Sequence, residues 1–165
     1  LSESLIFIYD TPGLNLLELR AKASRHKLQY DIQLIIIDYL QLMEKGKAEN
    51  RHQEISSISR GLKALARELD VPVIAVCQLN CSVGTREGRI PRTSDLRELG
   101  SIEQDADVII LLHREDYYDP TKKPGEVDLN IAKQRNGLTG KITLTFQQKF
   151  LRFENLQNNT SLDMD

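Results

Sequence analysis

Cysteine is scarce in this chain. Only Cys77 and Cys81 occur, too few for a disulfide framework and without the second pair that a metal site would need. Cys77 stands in an apolar stretch, where a thiol is expected as a small buried hydrophobe. An excess of charge of one sign is also missing, since 22 Lys+Arg against 24 Asp+Glu leave a formal net charge of -2. Global attraction to nucleic acid or to an acidic membrane is thereby excluded, and any polyanion site must be a local patch. No apolar run reaches the ~20 residues of a membrane span, and no secretory leader is visible. A reducing, cytoplasmic setting is the expectation.

What is present is ordinary globular material. An apolar fraction of 40% and a charged fraction of 28% can build a core, and 165 residues make one domain the default. The chain opens on Leu1-Ser2-Glu3-Ser4, and Leu5 to Tyr9 already reads as a strand. So abrupt a start suggests a fragment cut from a longer polypeptide.

Apolar runs and helical spacings alternate along the sequence. Thr11 and Pro12 signal a helix start, with Leu14, Leu17, Ala21 and Leu28 on one face of a helix running to about Tyr30. The run Leu34-Ile35-Ile36-Ile37 has no polar alternation, the pattern of a strand covered on both faces, and it ends on Asp38. Asn50 with Gln53 resembles a capping pair, and Ile55, Ile58, Leu62, Leu65 and Leu69 recur at helical spacing behind it. "VPVIAVC" and "DVIILLH" read as two more buried strands, separated by a long polar segment. "EVDLNIAKQ" and "KITLTF" alternate around Asn136-Gly137, a hairpin signal. The predicted fold class is α/β: a mostly parallel sheet flanked by helices, closed by a C-terminal antiparallel hairpin. After Phe153 the apolar spacing stops, so 154–165 is expected to be a disordered tail.

Ligands of such sheets bind at the carboxyl ends of the strands. Asp38 ends the first buried strand, the form of a Walker B element, in which a carboxylate holds Mg²⁺ beside nucleotide phosphates. It could equally cap the next turn. Gln78 ends the next strand, where an amide can orient water or sense a terminal phosphate; taken alone it reads as a residue bonding to loop backbone. The segment from Thr85 to Ser101 carries Arg86, Arg89, Arg92 and Arg97 with glycines between, suited to a phosphodiester backbone. Glu87, Asp95 and Glu98 partly cancel that charge, so a solvated loop is the plainer reading. No aromatic residue interleaves, so base stacking is not indicated. Lys133 and Arg135 lie two apart before the turn, hence on one strand face. They fit an arginine finger with a partner lysine, or merely two cations guarding an edge strand.

Together, "LIIIDYLQLM", "ENRHQEISSISRGLKALARELDVPVIAVCQLN", "SDLRELGSIEQDADVIILLHRE" and "IAKQRNGLTGKITLTF" resemble the C-terminal motor domain of the bacterial replicative DNA helicase, DnaB type. "DTPGL" fits the same family, and the resemblance covers about Leu5 to Phe153. It implies the part of a RecA-like P-loop ATPase domain that runs from the Walker B strand to the arginine-finger hairpin, within 1–153. It further implies a hexameric ring that binds ATP and Mg²⁺ between subunits and threads single-stranded DNA, moving 5′ to 3′ and splitting the fork. Primase and a helicase loader are implied partners. By motif, Asp38 would be the magnesium residue, and Gln78 would link the γ-phosphate to the DNA loop. Lys133 and Arg135 would reach a neighbour's nucleotide in trans. Arg97, Glu98 and Gly100 would hold the DNA backbone, Glu98 through its main-chain N–H.

No G-x-x-x-x-G-K-[ST] stretch occurs in the sequence. The resemblance therefore implies that the phosphate loop and the catalytic glutamate lie upstream, and that this chain alone neither binds ATP tightly nor hydrolyses it. Cys81, Leu99 and Leu138 replace the family's usual arginine, serine and proline. A recombinase or regulatory ATPase on the same core is the alternative. It would form filaments, or transfer phosphoryl groups to its own side chains, without opening forks. A docking module for loader or primase is a third reading.

Overall fold

The computed structural model describes residues 5–11, 13–43, 51–79, 90–99 and 101–156, without the side chains of 51, 52 and 97–99. The chain forms two compact units. The first spans 1–78 with 97–105, and the second 79–96 with 106–165.

In the first unit, helix α1 (Leu16–Tyr30) starts one turn later than predicted. Its cap is Asn15, whose side chain accepts from the Glu18 N–H while the Glu18 carboxylate accepts from the Asn15 N–H. This reciprocal box satisfies donors that the helix itself cannot. The inward face also differs from the one predicted. Leu16, Leu19 and Ala23 pack into the core, whereas Leu17 and Leu28 are exposed at 77% and 91%. The segment 5–11 has no regular structure and joins no ladder among the described residues, so the predicted first strand is not formed there. Instead Phe7 meets the His26 ring edge-on at 4.5 Å, and the Tyr9 hydroxyl lies 2.9 Å from His26 Nε2. His26 Nδ1 is 2.9 Å from the Lys22 carbonyl, which can only accept. Nδ1 therefore carries the proton, and Nε2 accepts from Tyr9.

Strands β1 (Ile35–Ile37) and β2 (Val73–Ala75) pair in parallel, joined by a 3-10 turn (Leu40–Leu42) and helix α2 (Arg51–Leu69). The predicted stripe of α2 is the core. Ile55 is buried, Leu65 packs with Ala23, Ile35 and Val71, and Ile58 and Leu62 pack with Leu40 and Met43. Gly61 belongs to the same helix and leaves room for the Leu16 side chain, whose Cδ2 a Cβ there would meet. Asp70, at φ 50°, turns the chain out of α2 before Pro72. Asn50 of the predicted capping pair Asn50–Gln53 lies outside the described residues. Both strands were expected to be covered on both faces. One face packs on the helices, but Leu34, Ile36, Ile74 and Val76 on the other are exposed.

The second unit is a four-stranded antiparallel sheet in the order β3 (Val108–His113), β4 (Glu126–Gln134), β5 (Gly140–Gln147), β6 (Arg152–Asn155). The "DVIILLH" run, expected as a third parallel strand, is thus the antiparallel partner of β4. Its residues alternate: Ile109 and Leu111 are buried, while Ile110 and Leu112 are exposed. The β4–β5 hairpin forms as predicted, but its pairing ends at Ile131 with Gly140, well short of Asn136-Gly137. β6 extends two residues past Phe153; 157–165 lie outside the described residues.

Candidate functional site

β1 and β2 run in parallel, so their carboxyl ends lie side by side. The ladder of Ile35–Ile37 with Val73–Ala75 is continued by two main-chain bonds, Val76 N–H to Ile37 O and Leu40 N–H to Val76 O, both 2.9 Å. Asp38 emerges between them, exposed, and the Asp38–Tyr39 peptide is cis. Gln78 leaves β2 at the same edge, also exposed. The two residues picked out from strand ends are therefore at neighbouring strand termini, as the topology requires.

Beside them sits a residue that sequence reading did not single out. Gln41, in the 3-10 turn, places Nε2 2.7 Å from the Gln78 carbonyl and 3.5 Å from Cys77 Sγ. Its Oε1 accepts from the Gln78 N–H at 3.3 Å. Cys77 is half-buried, as a free thiol; burial pushes its pKa up, only partly offset by the Gln41 amide.

The arginine-rich segment is described in part. Arg86, Arg89 and Gly100 lie outside the described residues, as does Cys81. Arg97 and Glu98 lie on a 3-10 stretch (Thr93–Leu99), their side chains not among those described. At its start the buried Asp95 carboxylate accepts from the Arg92 N–H at 2.8 Å. Just past Gly100, Ser101 is pinned to α2: its N–H donates to Ser56 Oγ at 3.0 Å. Its hydroxyl donates to Asp105 at 2.8 Å, at the start of the short helix α3 (Ile102–Asp105).

In the second unit Lys133 sits in β4 opposite Ile109, half-buried, and Arg135 follows the strand. The Arg135 N–H donates to the Asp107 carbonyl at 2.9 Å, and its guanidinium Nε is 3.4 Å from the Asp107 carboxylate. Arg135 is thus tethered at the edge of β3 by both main chain and side chain.

The donor set fits a magnesium ion. Mg²⁺ keeps several waters and takes one or two carboxylates plus substrate phosphates, so one exposed carboxylate at a strand end suffices. Among the described residues no group of three His, Cys, Asp or Glu side chains could form a protein cage.

Comparison with known proteins decides the family. The model for the DnaB-like helicase C-terminal domain matches residues 1–155. The chain belongs to the DnaB-like helicase C-terminal domain family. It is 49% identical over 160 residues to the replicative DNA helicase DnaC of Bacillus subtilis (strain 168), covering 95% of this chain and 35% of that protein. Identity to the replicative DNA helicase DnaB of Geobacillus stearothermophilus is also 49%, over 95% and 35% of the two chains. A solved ATPase domain superposes with a TM-score of 0.89 at 43% identity, over 94% of this chain and 56% of its own. A solved DnaB-like replicative helicase, described with its interactions with primase, superposes at 0.88 and 43% identity, over 94% and 38%. The chain thus spans about a third of the length of its curated relatives, and its fold is that of the RecA-like helicase ATPase domains. Within that family fold, the described part holds one parallel strand pair and three antiparallel ones.

Proposed function

We propose that this chain is part of the ATP-driven motor of a hexameric replicative helicase, moving 5′ to 3′ on single-stranded DNA and opening the fork. The observation that carries the reading is the juxtaposition of Asp38 and Gln78 at the carboxyl ends of paired parallel strands. That edge is where α/β sheets bind nucleotide.

Asp38 would hold Mg²⁺, which when bound neutralises charge on the nucleotide's phosphates. Gln78 orients the attacking water or senses the terminal phosphate through a neutral amide, and passes the state of the nucleotide to the DNA loop. Lys133 and Arg135 stabilise charge at a neighbour's nucleotide; the Asp107 tether keeps the Arg135 guanidinium oriented until a stronger anion competes for it. Arg97 and the main-chain N–H groups of Glu98 and Gly100 grip sugar-phosphate without reading bases, which makes the motor tolerant of sequence. Pinning of Ser101 to Ser56 gives that loop a fixed exit.

We also propose a boundary within the polypeptide: 1–153 as the latter part of the motor domain, carried two residues further by β6 to Asn155, with a tail after it. Primase and a loader are partners of the whole ring, which works in the cytoplasm. Among the described residues no helix is long and apolar enough to cross a membrane. The 165-residue chain alone, lacking a phosphate loop, is inert toward ATP, and micromolar ATP binding in calorimetry would contradict this.

The functional test uses the full-length protein on forked duplexes. Unwinding that needs ATP, Mg²⁺ and a 5′ single-stranded tail is the expected result. Filament formation on DNA without strand separation would instead indicate a recombinase.

A further inference from the structure

A parallel ladder ends when one strand turns away, and the other strand is then left with main-chain groups that have no partner. That happens here after Val76. β1 has already passed into the 3-10 turn, where the Leu42 and Met43 N–H groups close back on Tyr39 and Leu40. The main chain at Gln78 would otherwise face water with both its N–H and its C=O.

Gln41 takes the place of the missing strand. Its side-chain amide carries the same donor–acceptor pair as a peptide unit, and it is applied to one residue from both sides. Nε2 donates to Gln78 O at 2.7 Å, and Oε1 accepts from Gln78 N at 3.3 Å. Only this orientation of the amide satisfies both groups, because a flip would oppose donor to donor and acceptor to acceptor. The clamp is itself anchored. Leu40 and Met43, on either side of Gln41, are 3% and 6% exposed and packed against Ile58 and Leu62 of α2. Asp38 lies three residues before Gln41 on the same short stretch. The carboxylate and the glutamine are thus held in one frame through a single side chain.

We infer that Gln41 is a positioning residue for the motor reaction: by clamping the Gln78 main chain it fixes where the Gln78 side chain stands relative to the Asp38 end of β1. A glutamine that must report on a terminal phosphate is useful only while its Cα is fixed, and displacement on the order of 1 Å at a reacting group can cost about a hundredfold in rate. This inference depends on the reading of Gln78 given under Proposed function.

The test is a double-mutant cycle in the full-length protein, with single-stranded-DNA-stimulated ATP hydrolysis as readout. Gln41→Ala is expected to lower kcat roughly tenfold to a hundredfold while KM for ATP stays within about twofold. Gln41→Met keeps the length and the packing without the amide, and serves if the alanine variant melts early. In a Gln78→Ala background, either substitution should add almost no further loss, because no side chain remains to be misplaced. If Gln78→Ala is impaired but the Gln41 variants turn over like wild type, or their losses multiply with it, Gln41 does not act through Gln78 and the inference is overturned while the reading of Gln78 survives. If Gln78→Ala itself turns over normally, that reading fails and the inference falls with it.

Discussion

Asp116 shows how a single carboxylate is committed in this fold. Arg114 grips it with both prongs, Nε to Oδ1 at 3.0 Å and Nη2 to Oδ2 at 3.1 Å, and the Gly125 N–H adds a third bond at 3.0 Å. These partners hold its pKa below the usual carboxylate range, the Arg114 hydrogen bonds foremost. Gly125 sits at φ +74°, where a side chain would be strained, and its carbonyl accepts from the Phe146 N–H at 2.6 Å. A folded-state pKa below the unfolded value, about 3.9, means stability present above that pH and lost as pH falls through the folded value. Asp116→Asn should therefore lower the urea midpoint at pH 7, and the gap to wild type should close progressively below about pH 4. A gap unchanged down to pH 2 would contradict the pairing. At this scale the sequence made placement readable: Asp38 and Gln78 end apolar runs, and both stand at the ends of neighbouring parallel strands. Gln41 was not readable. Its partner lies 37 positions away, and a glutamine inside "YLQLM" carries no pattern of its own.

Among the elements, α2 was legible because its apolar residues form one stripe against a polar background. α1 was not, because it carries two competing stripes, and packing against α2 and the strands, not spacing, selects the one that faces inward. The difference is measurable. Leu65→Ala, at a site 2% exposed, should cost about 2–5 kcal/mol, whereas Leu28→Ala, at a site 91% exposed, should stay within about 0.5 kcal/mol. Equal losses in chemical denaturation would restore the stripe containing Leu28. β3 was misassigned for a related reason. A continuous apolar run reports burial and not strand direction, and its pairing with β4 depends on a register that sequence alone does not reveal. Leu5 to Tyr9 has strand composition, yet a strand needs a ladder partner, and none of the described residues supplies one.

For the whole molecule, a net charge of -2 leaves no general attraction to DNA, so any grip must come from a local patch, which we propose to be the segment around Arg97. The family was legible because long motifs stand in a fixed order, a signal that survives errors in individual elements. Lys133 and Arg135, proposed to serve a neighbour's nucleotide, belong to a different compact unit from Asp38 and Gln78. The central claim is that the β1–β2 edge is the nucleotide site, and its most direct test is single-turnover ATP hydrolysis by full-length protein carrying Asp38→Ala. A fall on the order of a hundredfold, the loss of about 3 kcal/mol of metal-borne charge stabilisation, is the expected result. Hydrolysis at the wild-type rate would contradict it.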